Sequence, residues 1–154
     1  MVGIGNDLHR LEENNPLIIG GIEIESDLGC VAHSDGDVLI HSLIDAILGA
    51  SGMGDIGEWF PDNDPKYKGC NSCDLLIEVL KEIDKKNFKI QNIDAIIILQ
   101  KPKLSKYKNS IKENIADLCK IPYEKVNIKA KTGENIGIIG DSLAIEALCI
   151  VEIK

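Results

Sequence analysis

Apolar residues recur at helical spacing from Asp37 to about Ala50, with Val38, Leu39, Leu43, Ile44, Ile47 and Leu48 on the recurring positions. Ser34 or Asp35 can cap the start of that helix. Ahead of it, Val2 to His9 reads as an opening strand, and Leu17 to Ile24 ("LIIGGIEI") reads as a hairpin around Gly20 and Gly21, because paired glycines supply the positive φ of a tight turn. Behind it, Gly49, Gly52, Gly54 and Gly57 break the pattern, and Gly54 to Gly69 is expected to be a long loop. Loops of that length inside a compact unit often carry function.

A second helix is predicted after a cap at Asn71 or Ser72, with Leu75, Leu76, Val79, Leu80 and Ile83 in one stripe. Phe88 to Gln100 follows as a strand whose last half is apolar on both faces, the mark of a central position in a sheet. A third helix is expected from about Ser105 to Cys119 with Ile111, Ile115 and Leu118 inward, stopped by Pro122. Lys125 to Lys131 ("KVNIKAK") alternates as a strand with Val126, Ile128 and Ala130 on one face, and Leu143 to Lys154 closes the chain as another. Strands interleaved with three helices predict an α+β sandwich with helices on one sheet face, in one domain spanning 1–154.

Composition narrows the function. The 154 residues are 44% hydrophobic, enough for one real core, but only 4% aromatic, which leaves little for a base-stacking platform. A net charge of -8 argues against a nucleic-acid backbone as partner. No secretory signal is visible in "MVGIGNDLHR" and no apolar run approaches the ~20 residues of a membrane span, so no membrane partner is expected. Five cysteines, an odd number, fit reduced thiols in a cytoplasm, and the lone C-x-x-C pair, Cys70 and Cys73, is read as structural rather than metal-binding or redox-active.

Asp7 and His9 lie two apart in a strand, so both leave the same face, and with one further ligand they could hold a divalent metal. Asp37, His41 and Asp45 fall at i, i+4 and i+8, along one stripe beside apolar neighbours. Buried charge on such a stripe must be compensated, and metal coordination is one way to do it. Two imidazoles and one carboxylate form the three-ligand set of a catalytic zinc with an open fourth position. Asp45 would then accept a proton from a ring nitrogen of His41. The competing interpretation is a polar pair at a strand end and a satisfied core histidine.

"GIGNDLH" (Gly3 to His9), "IIGG", "AHSDGDVLIHSLIDAILGA" (Ala32 to Ala50), "GDIGEWFPDNDPKYKG" (Gly54 to Gly69), "QKPKL" (Gln100 to Leu104) and "VNIKAKTGENIG" (Val126 to Gly137), in this order, strongly resemble the 2-C-methyl-D-erythritol 2,4-cyclodiphosphate synthase family. The resemblance covers essentially the whole chain. It implies a ferredoxin-like sandwich, with a mixed β-sheet and helices packed on one face, assembled as a homotrimer with active sites at subunit interfaces. The implied reaction closes a cyclic diphosphate from 4-diphosphocytidyl-2-C-methyl-D-erythritol 2-phosphate and releases CMP. It places zinc on Asp7, His9 and His41, and magnesium or manganese on Glu134.

By the same resemblance Asp7, His9, His33 and Ser34 face the substrate phosphates, with His33 and Thr132 stabilising the transition state. Asp55, Ile56, Gly57, Phe60, Pro61, Asp62, Asn63 and Asp64 would wrap the methylerythritol end. Leu99, Gln100, Lys101, Pro102, Lys103, Leu104 and Ser105 would hold the cytosine, and Lys131, Thr132, Gly133, Glu134 and Ile138 complete the implied substrate contacts. Lys101, Lys103, Lys106, Lys108 and Lys112 give this acidic chain a cationic patch.

Two departures stand out. A Thr-rich "TTTE" is replaced by "KTGE" (Lys131 to Glu134), and "GRGEGI" by "GDSLAI" (Gly140 to Ile145), which removes the arginine of a central trimer cavity. The resemblance therefore gives no basis for an isoprenoid diphosphate in that cavity here, and Glu146 is a candidate for its axis. Two rival functions share the same residues: a zinc-dependent phosphoester hydrolase, and a non-catalytic cytidine-nucleotide-binding trimer.

Overall fold

The computed structural model describes residues 1–61 and 63–154. Asp62, expected at the sugar end of the substrate, lies outside the described residues. Seven strands and five helices are described: β1 (Val2–Glu13), β2 (Leu17–Ile19), β3 (Ile22–Ile24), β4 (Leu28–Cys30), α1 (Val38–Ser51), α2 (Ile56–Trp59), α3 (Ser72–Lys85), β5 (Ile90–Ile98), α4 (Lys108–Cys119), β6 (Val126–Lys131), α5 (Gly137–Gly140) and β7 (Ala144–Ile153).

The main sheet is mixed, in the order β4-β1-β7-β5-β6, and β2 and β3 form the hairpin. β1 pairs antiparallel with β4 and β7, and β7 antiparallel with β5. β5 and β6 are parallel, which requires a crossover, and α4 supplies it. The result is an α+β fold in which no described helix is long and apolar enough to cross a membrane.

Alternation along β1 decides where α1 sits. Gly3, Gly5, Asp7, His9 and Leu11 point to one face, while Val2, Ile4, Asn6, Leu8 and Arg10 point to the other and are exposed. A Cβ at Gly3 would lie 1.9 Å from the Ala46 carbonyl oxygen, and one at Gly5 would lie 2.0 Å from that of Ser42. Two missing side chains thus let α1 rest its backbone directly on the strand. Val38, Leu39, Ile40, Leu43, Ile44, Ile47 and Leu48 of α1 are all fully buried, so the helix is enclosed on nearly every side rather than amphipathic. The opposite sheet face stays bare: Val2, Ile4, Leu8 and Ile150 are 41–68% exposed.

Several expectations need correction. β1 continues past His9 to Glu13, where Leu11, Glu12 and Glu13 pair with β4, a strand of three residues too short to show a period. Asp37, not Ser34 or Asp35, caps α1, accepting from the Ile40 N–H. The segment from Gly54 to Gly69 is not a plain loop: Asp55 caps the single turn α2, and Asp64 caps a 3-10 turn at Pro65–Tyr67. α4 starts at Lys108 rather than Ser105, with Tyr107 preceding it and making no side-chain cap, and Leu118 is only half-buried. β5 is interior to the sheet, but in its last half only one face is buried, through Ile93, Ala95 and Ile97; Asp94, Ile96 and Ile98 on its other face stay partly exposed.

Candidate metal centre and active site

Asp7 and His9 leave β1 on the side that α1 covers, one and two pleats beyond Gly5. Because α1 lies so close there, His41 in its second turn reaches the same point. Asp7 Oδ2 is 3.1 Å from His9 Nε2 and 3.1 Å from His41 Nδ1, and the two nitrogens are themselves 3.1 Å apart. This near-equilateral triangle of one carboxylate and two imidazole atoms is the cluster among the described residues whose donors could hold a metal ion. Tetrahedral zinc with bonds of about 2.0 to 2.1 Å needs ligand atoms roughly 3.3 Å apart, so the triangle fits one face of that tetrahedron.

The electrostatics match. Burial by itself would raise the Asp7 carboxyl, but hydrogen bonds from His41 and His9 and their charge outweigh it and hold it well below the usual carboxylate range. Burial would lower His41, yet its bond to Asp7, with Asp37 and Asp35 nearby, leaves it raised. Asp7 therefore stays ionised, as a metal ligand must be.

The other two acids of the α1 stripe do different work. Asp37 is fully buried and accepts from Gly20 N–H at 2.8 Å and Gly21 N–H at 2.6 Å, pinning the β2–β3 hairpin to the helix start. Burial pushes its carboxyl up to about 6 despite these donors. Asp45 does not hold a ring nitrogen of His41; it accepts from the Ile56 N–H at 2.8 Å and ties α2 to α1. The outer nitrogen of His41, Nε2, instead meets Ser72 Oγ at 2.8 Å and Ser34 Oγ at 3.2 Å.

A cavity of about 340 Å³ opens over the triangle. It gathers Asp7, His9, His33, Ser34, His41, Ile56, Gly57 and Phe60 from the expected set, with Asp45 of the α1 stripe, and adds Val31, Ala32, Tyr67, Cys70 and Leu75, which the sequence did not single out as site residues. The additions that are apolar are ordinary core types until the fold turns them toward a cavity. Asp55, which accepts from Glu58 N–H, and Asp64, which accepts from Lys66 N–H, shape the turns beneath this cavity instead of lining it, and Pro61 and Asn63 do not line it either. Burial raises the thiols of Cys70 and Cys73, the latter to about 11, so neither is poised for thiolate chemistry.

A second hollow, of about 270 Å³, collects Leu99, Gln100, Pro102, Lys103, Leu104, Ser105, Lys131 and Thr132, together with Lys108 and Ala130. Lys101 lies outside it, and Ile138 lines a different surface with Leu8 and Arg10. Of the expected cationic patch, Lys106 is paired with Glu25 at 3.5 Å and Lys112 stands over the Tyr123 ring at 3.9 Å. Glu134 and Asn135 both adopt positive φ, and the turn is held by Gln100, whose Oε1 accepts from Gly133 N–H at 3.1 Å and whose Nε2 donates to Asn135 Oδ1 at 2.9 Å. Within it Thr132 Oγ1 donates to Glu134 Oε1 at 2.6 Å. Across the sheet this hollow is three strands from the triangle, about 14 Å at the usual strand spacing.

A mixed-sheet α+β fold with a carboxylate and two imidazoles converging at the middle of its first strand defines a metal-dependent enzyme class. The chain belongs to the YgbB family, whose model it matches over residues 1–154. It is 50% identical over 151 residues to the 2-C-methyl-D-erythritol 2,4-cyclodiphosphate synthase of Treponema denticola, covering 97% of this chain and 94% of that one. Among solved structures it superposes with TM-score 0.95 and 43% identity on the bifunctional IspDF of Campylobacter jejuni, over 99% of this chain but 42% of that longer one. It also superposes on the CDP complex of the IspF of Plasmodium falciparum, with TM-score 0.85, 36% identity, and 99% and 93% of the two chains covered.

Proposed function

We propose that this chain converts 4-diphosphocytidyl-2-C-methyl-D-erythritol 2-phosphate into 2-C-methyl-D-erythritol 2,4-cyclodiphosphate and CMP, a step of non-mevalonate isoprenoid precursor biosynthesis. The observation that carries it is the triangle of Asp7, His9 and His41 beneath an open cavity, in a chain whose relatives bear this enzyme's name. An oxygen of the 2-phosphate attacks the β-phosphorus, the bond between the β-phosphorus and its bridge to the α-phosphate breaks, and CMP leaves. No water is consumed, so the reaction is that of a phosphorus–oxygen lyase.

The donor set of two imidazoles and one carboxylate suits zinc, and the all-oxygen chemistry of Glu134 suits magnesium or manganese. When bound, these ions supply Lewis-acid neutralisation of the phosphoryl oxygens. The chain's own residues do the positioning. His33 and Ser34 at the cavity rim orient the reacting phosphates, and Thr132 meets charge that develops as the bond breaks. The backbone of the segment from Leu99 to Ser105 reads the cytosine edge, over an apolar floor of Leu99, Leu104 and Ala130. Lys103 and Lys131 balance the nucleotide phosphates, while Ile56, Gly57 and Phe60 in the cavity wall enclose the sugar. Such a reaction depends on geometry and charge neutralisation more than on an added nucleophile.

The same proposal makes residues 1–154 one catalytic unit with a ferredoxin-like sandwich, working as a cytoplasmic homotrimer. Three copies would bury the bare face bearing Val2, Ile4, Leu8 and Ile150, and would bring the lysine-lined hollow of one subunit to the triangle of the next. Phosphorus NMR of the purified protein with zinc, magnesium and the full substrate tests it. Equal amounts of cyclic diphosphate and CMP are expected. Inorganic phosphate or linear monophosphates would instead mark a hydrolase, and CDP binding without CMP release a non-catalytic trimer.

A further inference from the structure

His41 offers Nδ1 to the triangle, and a neutral imidazole can present a bare Nδ1 only if its single hydrogen sits on Nε2. Without a metal Nδ1 can donate to Asp7 Oδ2 at 3.1 Å, but once an ion takes that place the hydrogen must sit on Nε2, and two hydroxyls compete to receive it. Ser72 Oγ is 2.8 Å away and Ser34 Oγ 3.2 Å away. A hydroxyl has one hydrogen to give. That of Ser72 is committed to Asp35 Oδ1, a short hydrogen bond, so toward His41 the Ser72 oxygen can only accept. Ser34 accepts from the Gly36 N–H at 3.3 Å and keeps its own hydrogen free, so it could donate to Nε2 and would enforce the opposite tautomer. Distance and commitment both favour Ser72.

Asp35 is itself fixed. Its Oδ2 accepts from the Ser72 N–H at 3.0 Å and its Oδ1 from the Asp37 N–H at 3.2 Å, while its backbone N–H donates to the Cys70 carbonyl at 3.1 Å. Ser72 is fully buried at the first turn of α3, where it has no solvent to bond instead. The line from Asp35 through Ser72 to His41 therefore joins the lead-in to α1, the start of α3 and the triangle.

We propose that Asp35 and Ser72 are positioning residues for the metal centre: the Asp35 carboxylate orients the Ser72 hydroxyl, which holds His41 as the Nε2–H tautomer with Nδ1 bare and aimed at Asp7 and His9. This rests on His41 being a metal ligand. It assigns a task to two polar residues that the substrate reading leaves unused, and it explains why a seryl hydroxyl is buried beside a histidine.

Nitrogen-15 NMR of the zinc-loaded protein with labelled histidine tests the tautomer directly: a His41 bound through Nδ1 that keeps its hydrogen on Nε2 is expected, and a His41 bound through Nε2 overturns the proposal without any substitution in the relay. Ser72→Ala and Asp35→Ala should each weaken zinc binding by about 10- to 100-fold, read by competition with a chromophoric chelator. Thermal melting of the zinc-free variants shows whether each has folded, and should Ser72→Ala fail to fold, Asp35→Ala carries the same test. The double variant should bind zinc no more weakly than the worse single one, because each breaks the same chain. Ser34→Ala should leave zinc affinity within about twofold of wild type on the same reasoning. Additive losses, or an unchanged affinity in folded Ser72→Ala, would overturn the relay. Failure of wild-type protein to bind zinc would instead remove the metal reading of the triangle, and the relay with it.

Discussion

The cavity around Asp7, His9 and His41 and the hollow around Lys103, Lys108 and Lys131 are held by different physics. The first is built on regular elements, a strand and a helix pressed together over Gly3 and Gly5, and its side chains are partly buried and hydrogen-bonded to one another. The second is built where β5 and β6 run out into turns, and its lysines form no ion pair with an acid among the described residues. Pre-set buried charge responds to loss of one member as a unit, whereas flexible exposed cations contribute separately and weakly. The metal half should therefore fail abruptly under substitution and the lysine half by degrees.

The harshest break of that contrast is His41→Ala. It removes one corner of the triangle and leaves Asp7 with one imidazole partner. Zinc content should fall to near zero and turnover by about three orders of magnitude or more, checked by metal analysis and kcat. Stoichiometric zinc in the variant would show that the triangle is not the metal site. pH sharpens the same point. Because Asp7 raises His41 above its ordinary 6.5, the proton competes with the metal to a higher pH than at a free imidazole. A raised value means the protonated form is favoured as pH falls, so zinc affinity should drop roughly tenfold per unit below the His41 value and level off above it. A flat profile from acid to neutral pH would contradict this.

Gly5→Ala tests the frame rather than the ligands. The added Cβ would meet the Ser42 carbonyl oxygen at 2.0 Å, a backbone atom that cannot swing aside, so α1 must move off β1. We expect a loss of about 3 kcal/mol, or roughly 10 °C in thermal midpoint, and weaker zinc binding because His41 travels with α1. A variant that melts early but binds zinc normally would separate the helix position from the metal geometry.

Much of this frame was legible in the sequence. Helical spacing located α1 and α3, paired glycines located the hairpin, and the two-residue step from Asp7 to His9 put both on one face. The errors have a common physical origin. A period says which side of a helix a residue occupies, but not which backbone N–H or hydroxyl from elsewhere will meet it. Asp37, His41 and Asp45 share one stripe, yet Asp37 was claimed by the hairpin, Asp45 by α2, and the place expected for Asp45 beside His41 went to Ser72. Partners 31 residues distant, such as Ser72, follow only from the packing of α1 on α3. Strands of three residues and one-turn helices, such as β4 and α2, are too short to leave a period at all.

Lys131→Ala is the mildest test and the one that addresses the lysine half. Lys131 ends β6, and its exposed ammonium lines the hollow beside Lys103 and Lys108. Loss of one solvated cation that only balances phosphate should raise KM for the nucleotide substrate by about two- to fivefold at low salt, with kcat nearly unchanged. Screening shortens from about 10 Å at 0.1 M salt to about 3 Å at 1 M, so the difference from wild type should shrink as salt rises. Zinc content should not change, since Lys131 belongs to the far side of the sheet from the triangle within one chain. An unchanged KM would make Lys131 plain solvated surface. A fall in kcat equal to the fall in kcat/KM would place its charge on the reacting phosphates, and the two pockets would then differ in rigidity but not in chemical task.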